Sequence, residues 1–93
     1  MKIPSCVKIG GIPYEVEWDA TLGGERRAFG ELHAATQKIV LDGQMPAEQA
    51  GETLLHEIIE AITVHNDLTL DHQHISTLAF QLYQVIRDNN LVF

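Results

Sequence analysis

One histidine and two glutamates stand at a spacing that could hold and use a metal ion. They are His56, Glu57 and Glu60, in the order His-Glu-x-x-Glu, within a segment whose apolar spacing predicts a helix. Residues i and i+4 of a helix project from the same face about 5 to 6 Å apart, so His56 and Glu60 could coordinate one small cation. A glutamate at position 57 could then take a proton from a water molecule whose pKa the cation has lowered to about 7. The segment therefore predicts metal-assisted hydrolysis.

The match to the zinc-protease pattern is incomplete. That pattern is His-Glu-x-x-His, and Glu60 stands where the second histidine belongs. A carboxylate can ligate zinc through oxygen, but it changes the charge of the site. The alternative interpretation is a solvated helix face, because a helical wheel places the three polar residues opposite the stripe of Leu54, Ile58 and Ile62.

A zinc site needs a third protein ligand, and the histidines near the second predicted helix are the candidates. His72 shares a helix face with Ser76 and can turn toward the first helix, whereas His74 lies on the other flank. His65 is two turns from Glu60, which is too far for easy shared coordination. The predicted zinc site therefore has His56 and Glu60 as ligands and Glu57 as the catalytic base. His72 is the preferred third ligand, with His74 and His65 as the alternatives.

Three further residues have side chains with possible functional roles, but structural roles are the stronger expectation for each. His33, in a predicted strand, is expected to be a surface residue rather than a ligand. Cys6 is expected to be a packing residue. Tyr83 could donate a hydrogen bond to a developing oxyanion, but an aromatic residue on an apolar helix face usually belongs to the core.

The order of predicted elements favours an α+β fold, with strands in the first half and helices in the second. Apolar residues alternate on both sides of Gly10 and Gly11, which is typical of a β-hairpin with a type I′ turn. Residues 30–35 and 37–41 predict one or two further strands, giving a small antiparallel-containing sheet of three to four strands. Residues 19–29, with the charged run at 25–27, are expected to form a flexible exposed loop.

Two helices follow. The first is predicted from the region of Pro46 to about His65, and the second from an N-cap at Asp71 to about Asp88. The short connection predicts that they pack against each other and against the sheet. The predicted apolar stripes are Leu54, Leu55, Ile58, Ile59 and Ile62 in the first helix, and Ile75, Leu78, Ala79, Leu82, Val85 and Ile86 in the second.

The length and the net charge of the chain limit the classes of function that we expect. The 93 residues predict a single domain over 1–93. A net charge of −7 repels a phosphate backbone and disfavours nucleic acid as a partner. One cysteine, no leader-like start and no long apolar run favour a cytoplasmic protein that does not enter a membrane.

Three blocks of the chain resemble the small zincin-like metallopeptidases encoded by phages and prophages. The blocks are QKIVL at 37–41, ETLLHEIIEAI at 52–62 and LYQVIRDN at 82–89, and the likeness extends over about 30–90. The resemblance implies a minimal zincin-like domain in the host cytoplasm that hydrolyses a peptide or protein substrate. It also implies an acidic third ligand, which His72 would replace here, and a sheet edge around Ile39 that pairs with an extended peptide.

A rival hypothesis belongs to a different class of function. The fold would serve, with or without metal, as a module that binds a phage or host protein through its acidic surface or its sheet edge, without turnover.

Overall fold

The computed structural model describes residues 2–25 and 27–91 as a four-stranded sheet followed by two packed helices. The predicted α+β fold is confirmed. The strands are β1 (Cys6–Ile9), β2 (Ile12–Asp19), β3 (Gly30–His33) and β4 (Lys38–Asp42), and the helices are α1 (Leu22–Glu25), α2 (Ala47–Asn66) and α3 (His72–Asp88).

The predicted β-hairpin joins β1 and β2, which pair antiparallel with Ile9 opposite Ile12. Gly10 and Gly11 occupy the turn with φ angles of 59° and 80°. A type I′ turn needs positive φ at both central positions, and glycine adopts it without steric strain. The glycine pair therefore sets the start of the sheet.

The sheet is mixed, with strand order β1-β2-β4-β3. β3 and β4 form a second antiparallel pair, and β4 joins β2 in parallel, with Val16 opposite Ile39. The expectation that the strand around Ile39 forms the sheet edge is therefore wrong. β4 fills an interior position because it pairs on both sides, and the edge strands are β1 and β3.

The connection between β2 and β3 is more ordered than the sequence suggested. Asp19 Oδ1 accepts hydrogen bonds from the backbone N–H and the hydroxyl of Thr21, at 2.9 and 2.7 Å. α1 follows at once, and its Leu22 is fully buried. The prediction of an exposed loop over 19–29 is wrong at Leu22, because one large apolar side chain anchors the segment; position 26 lies outside the described residues.

The core forms where α2 covers one face of the sheet. The contact surface of α2 includes small residues, namely Ala50, Thr53 and Ala61, which let the helix backbone approach the strands. The predicted stripe is wrong at Ile62, which is 40% exposed. The buried core cluster is Ile9, Tyr14, Val16, Ile39, Leu41, Leu54 and Ala61.

α3 packs on α2 through Ile75, Ala79 and Tyr83. Its predicted stripe is rotated, since Leu78 and Leu82 are exposed. Within the described part of the chain α3 makes no comparable contact with the sheet, so the expected packing of both helices on the sheet is wrong for α3.

The ends of the helices match their sequence signals. Pro46 precedes the first residue of α2, and Asp67 follows the helix in the left-handed conformation with a φ of 53°. Asp71 caps α3, because its side chain accepts a hydrogen bond from the backbone N–H of His74 at 2.9 Å. In the described residues no helix combines the length and the hydropathy that a membrane crossing requires.

Gly51 determines how closely α2 and α3 approach. A Cβ atom built at Gly51 would collide with the ring of Tyr83. We predict that Gly51→Ala lowers the free energy of unfolding by about 1 to 3 kcal/mol, although alanine favours a helix by about 1 kcal/mol over glycine. Urea unfolding followed by circular dichroism measures the change.

Gly24→Ala is the matched control, because a Cβ atom built at that helical glycine meets no atom of the described residues within 4 Å, its chain neighbours and helix backbone aside. We expect this variant to be as stable as the wild type or slightly more stable. Equal effects of the two substitutions would contradict a packing role for Gly51.

Candidate metal centre

Three side chains from two helices converge beside the sheet edge. His56 and Glu60 lie one turn apart on α2, with Nε2 of the histidine 3.5 Å from Oε1 of the glutamate. His72, the first residue of α3, brings its ring centroid to 4.9 Å from that of His56. One potential ligand atom from each residue lies within 4.8 Å of the others, so the group could hold a metal ion.

The donor set of this group suits a small divalent cation. Two imidazoles and a carboxylate are a set that zinc accepts, with nitrogen and oxygen ligands at about 2.0 to 2.2 Å. Ligand atoms around one such ion lie closer together than 4.8 Å, so binding requires modest side-chain rotation. Three protein ligands also leave one coordination position open, as in catalytic sites.

Glu57 occupies an unusual position, because its carboxyl group is buried next to this cluster. The residue is 4% exposed, and its Oε1 atom has no hydrogen-bond partner among the residues that the structure describes. The interpretation of this helix face as solvated is therefore wrong at Glu57. A buried polar oxygen without a partner is destabilising by about 1 to 3 kcal/mol, so the carboxyl group lacks an interaction that another molecule or ion could supply.

Gly30, on the edge strand β3, creates the space for Glu57. A Cβ atom at this position would lie 2.7 Å from Cγ2 of Thr53 and 3.2 Å from both Cγ and Oε2 of Glu57. The strand backbone can pass close to the carboxyl group only because the side chain is absent. The sequence signal for this contact was a glycine at the start of a predicted strand, which does not by itself identify the distant residue that fills the space.

The surroundings of Glu57 favour its protonated form. The pKa of Glu57 is raised from 4.5 to about 8, chiefly by burial and next by a hydrogen bond with Glu60. The negative charges of Glu60 and Glu31 act in the same direction. Two close carboxyl groups disfavour double ionisation, so without a cation Glu57 is mostly protonated at neutral pH.

Two clefts meet at the cluster. One, of about 330 Å³, extends toward Phe29, and the other passes Leu32 and His33 along β3. Carboxyl groups line both, but Arg27 also lines the first, so the second cleft is the more acidic. The residues common to the two clefts are Gly30, His56, Glu57 and His72.

The other histidines lie outside the cluster. His65 accepts or donates a hydrogen bond at 2.7 Å between its Nε2 and the buried hydroxyl of Tyr14. His74 is exposed and lies 3.4 Å from Asp71. His33 is an exposed residue beside Glu31, as expected for a surface position, although it lines the second cleft.

The remaining two candidates have no place in the site. Tyr83 is 8% exposed and packs against Gly51, with the Arg87 guanidinium 5.5 Å from its ring centroid. Its core role is confirmed, and it lines neither cleft of the cluster. The expectation that Cys6 packs in the interior is wrong, because this residue of the outermost strand is exposed.

Comparisons of the chain with protein-family models, curated proteins and solved structures returned no match.

We predict that the metal-free protein loses stability as the pH rises from about 4.5 to about 8. In this window the folded chain keeps on Glu57 a proton that the unfolded chain has released. A folded state that binds the additional proton is destabilised by rising pH, and the loss is complete above pH of about 8. The total effect is on the order of a few kcal/mol. Urea unfolding at several pH values, with a chelator present, measures it.

Glu57→Gln is the control for this titration, because glutamine keeps the shape and does not ionise. The variant should show a smaller decline in stability across the same pH window, with the difference from wild type growing toward pH 8. The same pH dependence in both proteins would contradict a raised pKa for Glu57.

Proposed function

We propose that the chain is a zinc-dependent peptidase of the His-Glu-x-x-Glu type. The observation that carries the proposal is the position of Glu57, whose buried Oε1 atom has no hydrogen-bond partner among the described residues and lies beside three convergent potential ligands. Burying a polar oxygen without a partner is destabilising, so a purely structural helix face would not favour this arrangement. A carboxyl group beside an open cation site is in a position to act as a general base.

His56, Glu60 and His72 would hold the ion. When bound, zinc acts as a Lewis acid that polarises a carbonyl group and lowers the pKa of water. The positive charge would also reverse the electrostatics around Glu57, because a nearby cation favours the carboxylate form. Glu57 would thereby lose its proton and become able to accept one from water during attack on a peptide carbonyl.

The edge strand β3 offers a place for an extended substrate. The backbone carbonyl of Phe29 accepts a hydrogen bond from Asp42 N–H at 2.7 Å, so residue 29 points toward β4. Antiparallel strands alternate the direction of their backbone groups, and Gly30 and Leu32 therefore direct theirs toward the open edge. A peptide that pairs with this edge would pass the clefts beside Glu57, with main-chain hydrogen bonds fixing its position.

The charge of the site favours slow turnover. Glu60 contributes a negative charge where a second neutral imidazole would stand in the complete pattern. The additional charge makes water at the cation less acidic than it is in a three-histidine site. We expect slow hydrolysis, or hydrolysis that increases toward higher pH.

One observation favours a second function, an interaction module that binds a partner without turnover. With a pKa of about 8, Glu57 is mostly protonated at neutral pH in the absence of a cation and is then unable to act as a base. Under that hypothesis the open edge of β3 would bind an extended segment of a partner protein. Elemental analysis of protein purified without chelators, combined with a peptidase screen, separates the two functions.

We predict that His56→Ala abolishes stoichiometric zinc binding and removes the increase in melting temperature that zinc gives the wild type. The reason is that binding to the folded state alone stabilises that state. For the third ligand, His72→Ala should lower zinc affinity about 100-fold or more. Isothermal titration calorimetry and thermal unfolding with and without zinc measure these effects.

His74→Ala is the matched control for His72→Ala, because His74 is an exposed histidine two residues away on the same helix. Its affinity for zinc should stay close to that of the wild type. Unchanged metal content in His56→Ala would refute the proposed site, and a larger loss in His74→Ala than in His72→Ala would replace the third ligand.

We predict that Glu57→Gln keeps its fold and its zinc but loses peptidase activity by a factor of about 10² or more. The amide retains the shape of the side chain and lacks a basic oxygen. Cleavage of a peptide and protein panel by zinc-loaded protein measures the loss. Equal cleavage by variant and wild type would show that Glu57 is not the base, and a wild type that binds zinc but cleaves nothing would favour the interaction module.

A further inference from the structure

Ser76 lies between the two histidines of the proposed metal site. It is a half-buried residue on α3, one turn after His72, and it lines the same cleft as His56 and Glu57. Its hydroxyl oxygen is 3.5 Å from Nδ1 of His56 and 3.4 Å from Nε2 of His72. These distances lie at the long end for hydrogen bonds, so small side-chain movements decide how strong the contacts are.

The ring of His56 has its two nitrogens committed to different neighbours. Nε2 points toward Glu60, at 3.5 Å from Oε1, while Nδ1 points toward the hydroxyl of Ser76. If the lone pair on Nε2 is to bind a cation, the proton of the neutral ring must sit on Nδ1. The Ser76 oxygen is then the hydrogen-bond acceptor for that N–H group.

We propose that Ser76 is the positioning residue of His56. With an ion on Nε2 it accepts a hydrogen bond from His56 Nδ1–H and thereby holds Nε2 toward the metal site. Without an ion, the Glu60 carboxylate 3.5 Å from Nε2 favours the Nε2–H tautomer, and the Ser76 hydroxyl can donate to Nδ1. This inference rests on the proposed function for its purpose, but the contact between Ser76 and Nδ1 is present in the absence of metal.

The contact also connects the two helices. Ser76 belongs to α3 and His56 to α2, so the imidazole is held in the binding orientation only while the helices keep their packing. Hydrogen-bond partners of ligating histidines fix the ring tautomer and orientation, and their loss typically lowers metal affinity by about 10- to 100-fold. A serine that touches no metal can therefore control how well the site binds one.

Three variants test the proposal by zinc titration. Ser76→Ala removes the acceptor, and we expect zinc affinity to fall about 10-fold. Ser76→Thr keeps the hydroxyl and should restore most of that affinity. Thr77→Ala removes a neighbouring exposed hydroxyl from the same helix and should have no effect. Equal affinities of Ser76→Ala and the wild type would overturn the proposal.

Nitrogen-15 NMR of the metal-free protein at about pH 8 supplies a readout that does not depend on zinc. In the wild type and in Ser76→Thr we expect the resonance of the unprotonated Nδ1 of His56 to be shifted by the hydrogen bond that it accepts, and we expect Ser76→Ala to remove this shift. The same Nδ1 resonance in the wild type and in Ser76→Ala would overturn the proposal.

The two readouts separate failure of this inference from failure of the proposed function. If the wild type binds no zinc, the proposed metal site is refuted, and the Nδ1 resonance of His56 alone decides whether Ser76 orients the ring. If the wild type binds zinc but Ser76→Ala changes neither the affinity nor the Nδ1 resonance, the metal site stands and the role of Ser76 is refuted.

Discussion

The desolvation of one carboxyl group is the constraint on which the candidate site depends. The side chain of Glu57, on α2, is buried against the edge strand β3, and burial is the largest contribution to its raised pKa. Desolvation penalises the ionised form of a carboxyl group far more than the protonated form. The fold accommodates the group because Gly30 carries no side chain. A cation held by the nearby imidazoles could shift Glu57 from its protonated to its ionised form.

Three sides of α2 make three different kinds of contact. One side packs on the sheet through small residues, a second side receives α3 at Gly51, and the strip between them carries His56 and Glu60. The width of the site is thus set by how closely α2 approaches both the strands and α3. Residues with little side-chain volume are found at these contacts because each added methyl group would move a ligand-bearing element.

Local patterns in the sequence were sufficient for the hairpin, for the two long helices and for the three residues that could hold a metal ion. The hairpin follows from two adjacent glycines and α3 begins at a capping aspartate, while helical spacing pairs His56 with Glu60 and the short connection brings His72 close to them. Strand order was not accessible in this way, because the pairing of β4 between β2 and β3 depends on contacts distant in the sequence. A pattern within one segment does not specify which neighbours that segment acquires.

The orientation of the helices was misjudged for a related reason. The predicted faces followed the largest apolar side chains, yet Ile62 and Leu82 are exposed while Glu57 and Tyr83 are buried. A helical wheel gives the spacing of residues but not the direction in which the helix is covered. Close packing through alanine, glycine and threonine moved the buried face of α2 toward Glu57.

The attachment of α3 has a topological consequence. This helix is held by few buried side chains, and it is joined to α2 by a short connection. A cation shared by His56 and His72 would close a loop of about 16 residues, in the manner of a cross-link between the helices. Because the ion would bind the folded chain alone, such a clip would stabilise that state by the free energy of binding, and small domains commonly depend on structural metals where their cores are limited. Both metal coordination and apolar packing would then hold α3 against α2.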